Sequence, residues 1–429
     1  DVERSRGLGD VYKRQVGEEG LIEKTKQAKA KTEEAKRKEE HQLEEVLGRI
    51  EEEIGESYSK EKGVNKPRLT TGMTPIKFTE PTESTKGVSQ LTESTDKDWY
   101  NYEQKKWANV QTEDGSMWVW IPRYAYRVDA SSKTFDIVFL IGNTDQYYDT
   151  EGNMQTAKRC NHIDEYMDTT TGYTVHPAFT DETAISYRNG GWDKELTGIW
   201  VAKFEAGFAG GNNLATVKES SVSYSQSTSY VKTVESGKDA DGSELARNWL
   251  DGIYGTTKTA IKYPTFQGKT YGLNYINYND SFELAKKMTE DGNIYGLTQQ
   301  VDSHLMKNSE WGAVAYLSQS KYGLNGTDIA INNISLNSGG TERTNVAGKS
   351  GVDSVYAITG CTTGTNNATE KITTITNINN TVANTAIEGV YTWEQLNGTK
   401  ASSTGTIYGI YDLSGGGPVS YTHLTLPTT

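Results

Sequence analysis

Cysteine is nearly absent. The 429 residues hold two, Cys160 and Cys361, far apart in the chain and outside any CxxC or zinc-type spacing. They can pair or stay free, so the redox compartment is left open. Positive charge is also in deficit: 44 Lys and Arg stand against 57 Asp and Glu, a net charge of -13. Binding to a phosphate backbone needs a basic footprint, and no basic patch interleaved with aromatics is present, so nucleic acid is excluded as a partner. Histidine is scarce, and none of the five sits in a nucleophile motif, which leaves no Ser-His-Asp or Cys-His constellation. Apolar residues make up only 34% and mean hydropathy is -0.68, but the polar residues are unevenly placed. The average hides a folded part and a solvated part, enough for one large domain plus an extension.

The two ends read differently from the rest. Taken back into codons, the closing "VSYTHLTLPTT" resembles read-through of a transposase-type sequencing adapter, and "SRGLGDVYKRQ" near the start resembles the opposite-end adapter. Residues 1–15 and 418–429 are therefore expected to be adapter-derived and are set apart from the fold. The natural protein is expected to continue beyond both, so a missing signal peptide or membrane anchor carries no information.

Residues 16–62, "VGEEGLIEKTKQAKAKTEEAKRKEEHQLEEVLGRIEEEIGESYSKEK", are mostly strong helix formers with opposite charges four apart, such as Glu34 and Lys38. They predict a long exposed helical stalk. Leu43, Leu47, Ile50 and Ile54 step by four, three and four, a seam on which the helix can pair as a short coiled coil or lie on a partner. Residues 63–98 are rich in Thr, Ser and Pro with no apolar period. Such a segment buries too little to offset its ordering entropy and is expected to be a mobile linker.

The head, 99–417, holds all nine tryptophans. "MWVWIP" is an unbroken apolar run stopped by Pro122, as in a strand buried on both faces, and carries Trp118 and Trp120. "FDIVFLIG" and "GIWVAKFEAG", the latter with Trp200, are further strands. "NDSFELAKKMTEDG" predicts a helix capped by Asp280 or Ser281 and stopped by Gly292; "NSEWGAVAYLSQS" predicts another after an Asn308 cap. Between them run Asn, Thr, Ser and Gly-rich loops, at 208–245 and 323–386. Few helices, scattered strands and much irregular surface give an α+β domain.

The order of these motifs carries a resemblance. "MWVWIPRYAY", "GIWVAKFEAG" and "NYINYNDSFELAKKM" resemble successive elements of the formylglycine-generating enzyme (sulfatase-modifying factor) family. "DSHLMKNSEWGAVAYL" resembles its Glu-Trp helix, with Leu305, Glu310 and Trp311 in the matching places, and "GTIYGIYDLSGG", with Tyr411, resembles its glycine-rich turn. The resemblance implies a C-type lectin-like head of small twisted sheets, two helices and a loop-built surface. Met306 and Lys307 depart from the family's Pro and Thr, so the turn before the helix must be built differently. The enzymes' cysteine pair would fall beyond the glycine turn, so Cys160 and Cys361 inherit no catalytic role. The stalk, in turn, resembles the segment following the membrane helix of clostridia-type prepilin-like surface proteins.

In the resembling enzymes the glycine turn holds calcium. The resemblance therefore implies a partial calcium site at Asp412, Gly415 and Gly417, with the expected glutamate position falling on Val419. Glu310 and Trp311 are read as structural, an aromatic anchor on a core-facing helix with an acid favoured by the helix dipole. The acidic loop "RCNHIDEYMD" (Cys160, His162, Asp164, Glu165, Asp168), the partial calcium loop around Asp239, Asp241 and Gly242, and the "NVAGKS" echo of a phosphate loop, spoiled by Arg343, are set aside. The expectation is a cell-surface protein anchored through a membrane segment missing here. It would display the head to a glycan or protein ligand and could self-associate through the stalk. A formylglycine-generating oxidoreductase acting on a protein cysteine and a structural minor pilin are the alternatives.

Overall fold

A computed structural model describes residues 29, 31–32, 36, 57–129, 131–159, 172–181, 194–208, 214–216, 246–248, 259–261, 263–272, 278–332, 335–337, 343–344, 355–366, 375–377, 386–387 and 390–416. The chain divides into two compact units, Asp1–Ser57 and Tyr58–Thr429. In the first, Lys29, Lys31, Thr32 and Lys36 are helical and exposed. The rest of the predicted stalk, including the Leu43 to Ile54 seam, and both adapter-like ends lie outside the described residues. No helix among the described residues is long and apolar enough to cross a membrane.

The second unit is α+β, with small sheets and, among the described residues, two α-helices. Its largest sheet has five antiparallel strands: β1 (Thr74–Phe78), β2 (Ser89–Leu91), β3 (Asn109–Gln111), β4 (Met117–Pro122) and, later in the chain, β8 (Gly198–Ala202). They lie in the order β8-β4-β3-β1-β2. The apolar run of β4 occupies an interior position, where Val119, Trp120 and Ile121 are fully buried, as a strand covered on both faces requires. Trp200 pairs with Trp120 across the ladder, their rings 5.2 Å apart, and a Cβ on Gly198 would come within 2.4 Å of the Trp120 ring. Only glycine fits there.

The segment 63–98 is not a linker. Val64 and Asn65 are buried, and β1 and β2 belong to the main sheet. Ile76 and Phe78 point into the core while Lys77 points out to Asp96, 2.7 Å away. That alternation in "TPIKF" is what composition concealed. Asn65 is held by three amide contacts: Nδ2 donates to Gly142 O at 2.8 Å and Thr197 O at 2.9 Å, and Oδ1 accepts from Gly142 N at 2.8 Å. Hydrogen bonds satisfied on every side offset the cost of burying the amide.

After Pro122 the chain turns through Arg123 into a hairpin, β5 (Tyr124–Asp129) and β6 (Thr134–Phe139), to which β7 (Thr174–Val175) adds in the order β7-β5-β6. Helix α1 (Tyr278–Lys287) begins before Asp280 and Ser281, so neither caps it, and Gly292 (φ +78°) follows in the turn. Helix α2 (Asn308–Ser318) packs Ala313, Val314 and Leu317 into the core, with Tyr124 donating its hydroxyl to Ala313 O at 2.7 Å. Lys307, not Asn308, is its N-cap residue. The closing segment returns to the sheet: the Tyr408 hydroxyl donates to Phe78 O at 2.9 Å and accepts from Phe78 N at 3.1 Å. Parts of the expected loops are short strands, Leu214–Thr216 in the first and Ser335–Asn337 and Cys361–Thr362 in the second.

Candidate functional site

The glycine-rich turn is built around Asp412, which is buried in the left-handed region (φ +60°). Its Oδ1 accepts from Asn332 Nδ2 at 2.7 Å and Gly360 N at 2.9 Å, and its Oδ2 from Gly360 N at 3.0 Å and Glu205 N at 3.3 Å. Burial pushes this carboxyl up to about 6, against the pull of those N–H donors. The arrangement is a donor-lined cage. Calcium needs oxygens facing it, whereas three N–H groups already face the Asp412 oxygens, so the described residues do not fit the ion. Gly415 serves close approach instead: its backbone bridges to Asn332, and a Cβ would lie 2.2 Å from Asn332 O. Gly417 and Val419 lie outside the described residues. Tyr411 is a packing residue, buried and stacked on Phe204 at 5.4 Å, with its hydroxyl donating to Trp393 O at 3.1 Å.

At the start of α2, Glu310 is 3% exposed and its Oε2 accepts from Lys307 N at 2.8 Å. This is half of a capping box; lysine supplies no acceptor for the other half. Trp311 overturns the expected aromatic anchor: at 40% exposure it lies on the solvent side of the helix. Glu310 also meets His304 Nε2 at 3.0 Å, while His304 Nδ1 faces Asp302 at 3.2 Å. Burial alone would lower the histidine, but hydrogen bonds to Asp302 and Glu310 and their charges hold it up at about 9. Raised above its unfolded value, the group contributes stability that is fully present below about pH 6.5 and is lost as pH rises through about 9. Asp302 is largely exposed, so water screens its share and the contribution is about 1–2 kcal/mol. Urea midpoints of wild type and His304→Gln should therefore differ near pH 6 and converge near pH 10. Parallel curves across that range would refute the assignment.

A groove of about 630 Å³ lies between the β5–β6 hairpin and the loop after α2, lined by Arg127, Asp129, Phe135, Asp136, Lys321 and Asn325 among others. The hairpin ends in a turn in which Asp129 accepts from the backbone and hydroxyls of Ser131 and Ser132, which hold its carboxyl well below the usual range. Asn325 (φ +52°) and Gly326 bring the opposite wall close: a Cβ on Gly326 would sit 3.2 Å from Thr134 Cγ2. Arg127 Nη2 meets Asp136 Oδ2 at 2.6 Å and its guanidinium lies 5.0 Å from the Tyr173 ring, whose hydroxyl donates to the same carboxylate at 2.5 Å. Phe135 stacks on Tyr316 with centroids 3.9 Å apart. A planar donor fork and a carboxylate in one open groove, with the Tyr173 ring beside them, can hold a polar ligand by paired hydrogen bonds.

None of the sequence-derived site residues lies in this groove. Trp118, Trp120 and Trp200 belong to the main-sheet packing. The loops holding His162 and Asp239 lie outside the described residues, and Arg343 is in a short strand (Arg343–Thr344). Among the described residues no group of three or more His, Cys, Asp or Glu can hold a metal ion. Cys361 is unbonded and buried, and burial pushes its thiol far up, away from the thiolate that nucleophilic chemistry needs. Comparison with protein-family models, curated proteins and solved structures gave no match.

Proposed function

We propose that the second unit is the binding head of a surface-displayed protein and that it takes a polar ligand, a glycan, in the hairpin groove. The observation that supports this is the exposed Arg127–Asp136 pair beside the Tyr173 ring. A carboxylate and a guanidinium side by side match the alternating donors and acceptors of a sugar diol, and aromatic faces suit its C–H surface. The resemblance of the stalk to prepilin-like proteins supports display on a cell surface, with self-association through Leu43, Leu47, Ile50 and Ile54. The resemblance of the head to the formylglycine-generating family, with the C-type lectin-like fold it implies, supports binding by analogy alone.

An array of immobilised glycans probed with the full chain should retain it on at least one saccharide. The double change Arg127→Ala with Asp136→Ala should weaken that binding about tenfold, about 1.4 kcal/mol. Because the pair is solvent-exposed, its removal leaves folding nearly untouched. A chain that no glycan retains, or a double variant that binds as well as wild type, would sink the proposal.

A further inference from the structure

Lys203 follows β8 and is completely buried, as is Asn109 at the start of β3. The lysine Nζ has three oxygen neighbours: Ile407 O at 2.7 Å, Gly409 O at 2.8 Å and Asn109 Oδ1 at 3.0 Å. The carboxamide is fixed from its other side, where Asn109 Nδ2 donates to Trp107 O and Tyr408 O, both at 2.9 Å. Phe78 and Tyr411 close over the amine with ring centroids 4.8 and 5.5 Å away, which walls the pair off from water.

We infer that Lys203 and Asn109 react with each other to form an intramolecular isopeptide bond. Burial drives the lysine towards the neutral amine, which is the nucleophilic form. A neutral amine has only two N–H groups to give. As the ammonium, Nζ donates to all three oxygens; once the proton given to Asn109 Oδ1 is lost, the two shorter contacts, to the carbonyls of Ile407 and Gly409, hold the remaining N–H groups and the lone pair faces the carboxamide. The 3.0 Å separation of Nζ from Asn109 Oδ1 places the amine beside the carboxamide carbon that it attacks. Nζ attacks Asn109 Cγ and forms the new Nζ–Cγ bond; the Cγ–Nδ2 bond breaks, and Nδ2 leaves as ammonia carrying a proton from Nζ. Atoms and electrons balance with no oxidant, reductant or cofactor.

The bond would join β8 to β3 across β4 and close a loop between residues 94 apart. In a chain with two cysteines this is a covalent staple that reducing conditions cannot open.

The intact mass of the full purified chain, denatured and reduced, tests the inference. The expected mass is one ammonia below the sequence mass. A tryptic digest should give a branched peptide joining the Asn109 and Lys203 segments, with no cleavage after Lys203. Because a succinimide at an Asn-Gly step such as Asn325–Gly326 also loses ammonia, the branched peptide decides. Lys203→Met should remove the branch, and Asn109→Asp should form it with loss of water in place of ammonia. Linear peptides cleaved after Lys203 in the wild-type chain would overturn the inference, and this reading does not depend on any variant folding.

Discussion

Asp412→Ala should cost the second unit about 3–5 kcal/mol, the largest loss from a single side chain in the closing turn. The carboxylate gathers Glu205 N, Asn332 Nδ2 and Gly360 N into one buried cage, joining segments more than two hundred residues apart. Removing it takes an acceptor from Glu205 N, from Gly360 N and from Asn332 Nδ2, which keeps Ile358 O, and an unmet buried donor costs about 1–3 kcal/mol. The backbone adds to this, because Asp412 stands at φ +60°, which alanine tolerates less well than aspartate. Urea denaturation monitored by tryptophan fluorescence measures the loss; a decrease below about 1 kcal/mol would show that the cage refills with water or relaxes. Asp412 also carries a pH signature. Its folded pKa, raised to about 6, lies above the unfolded carboxylate value, so its contribution is fully present below about pH 4 and is lost as pH rises through about 6. Asp412→Asn should remove that slope while a chelator leaves the wild-type midpoint unmoved, since the cage offers N–H donors to the carboxylate and not oxygens to a cation.

This cage marks where sequence and structure part company. "MWVWIP" announces itself as a strand because burial on both faces demands an unbroken apolar run, and "FDIVF" and "GIWVA", at the start of the other two segments, are strands whose burial alternates. Segment 63–98 does not, because one face of β1 needs only Ile76 and Phe78 among many Thr and Ser, and its stability comes from neighbours far along the chain. Asp412 stands out in sequence as an acid beside glycines, yet whether N–H groups or oxygens surround it is decided by Asn332 and Gly360, which no local motif contains. The hairpin groove was invisible for a related reason: Arg127 and Asp136 meet Lys321 and Asn325 only after the loop following α2 folds back on the hairpin. Trp311 shows the limit of a helix read by residue type alone. The buried face of α2 is set by Ala313, Val314 and Leu317, and position 311 falls outside it.

Arg123→Met should be comparably severe, about 3–5 kcal/mol, by a different route. The side chain is wholly buried at the junction of β4 and β5, where the chain passes from the main sheet to the hairpin that forms one wall of the groove. Its Nε donates to Thr144 O at 2.8 Å and its Nη1 to Phe179 O at 2.8 Å; Nη1 also lies 2.7 Å from Glu195 Oε2, and Nη2 lies 2.7 Å from Asp145 Oδ1. Methionine fills the volume but leaves Thr144 O without its donor, leaves Phe179 O with Leu196 N alone, and withdraws the inner cation from two carboxylates. Burial alone would raise Asp145, yet Arg159 and Arg123 together hold its carboxyl below the usual range, so losing Arg123 turns a stabilised anion into a buried liability. Arg159 cannot compensate, because it reaches the same carboxylates from the solvent side, 37% exposed. Arg159→Ala should accordingly cost no more than about 1 kcal/mol. Arg123→Lys should recover only part of the loss, since a single ammonium cannot span the carbonyls and both acids that the guanidinium fork meets. Midpoints for the three variants that fall together would show the network to be one solvated ion cluster; the ordering Met worst, Lys intermediate and Arg159→Ala mildest follows only if Arg123 is the buried pivot on which the hairpin is hung.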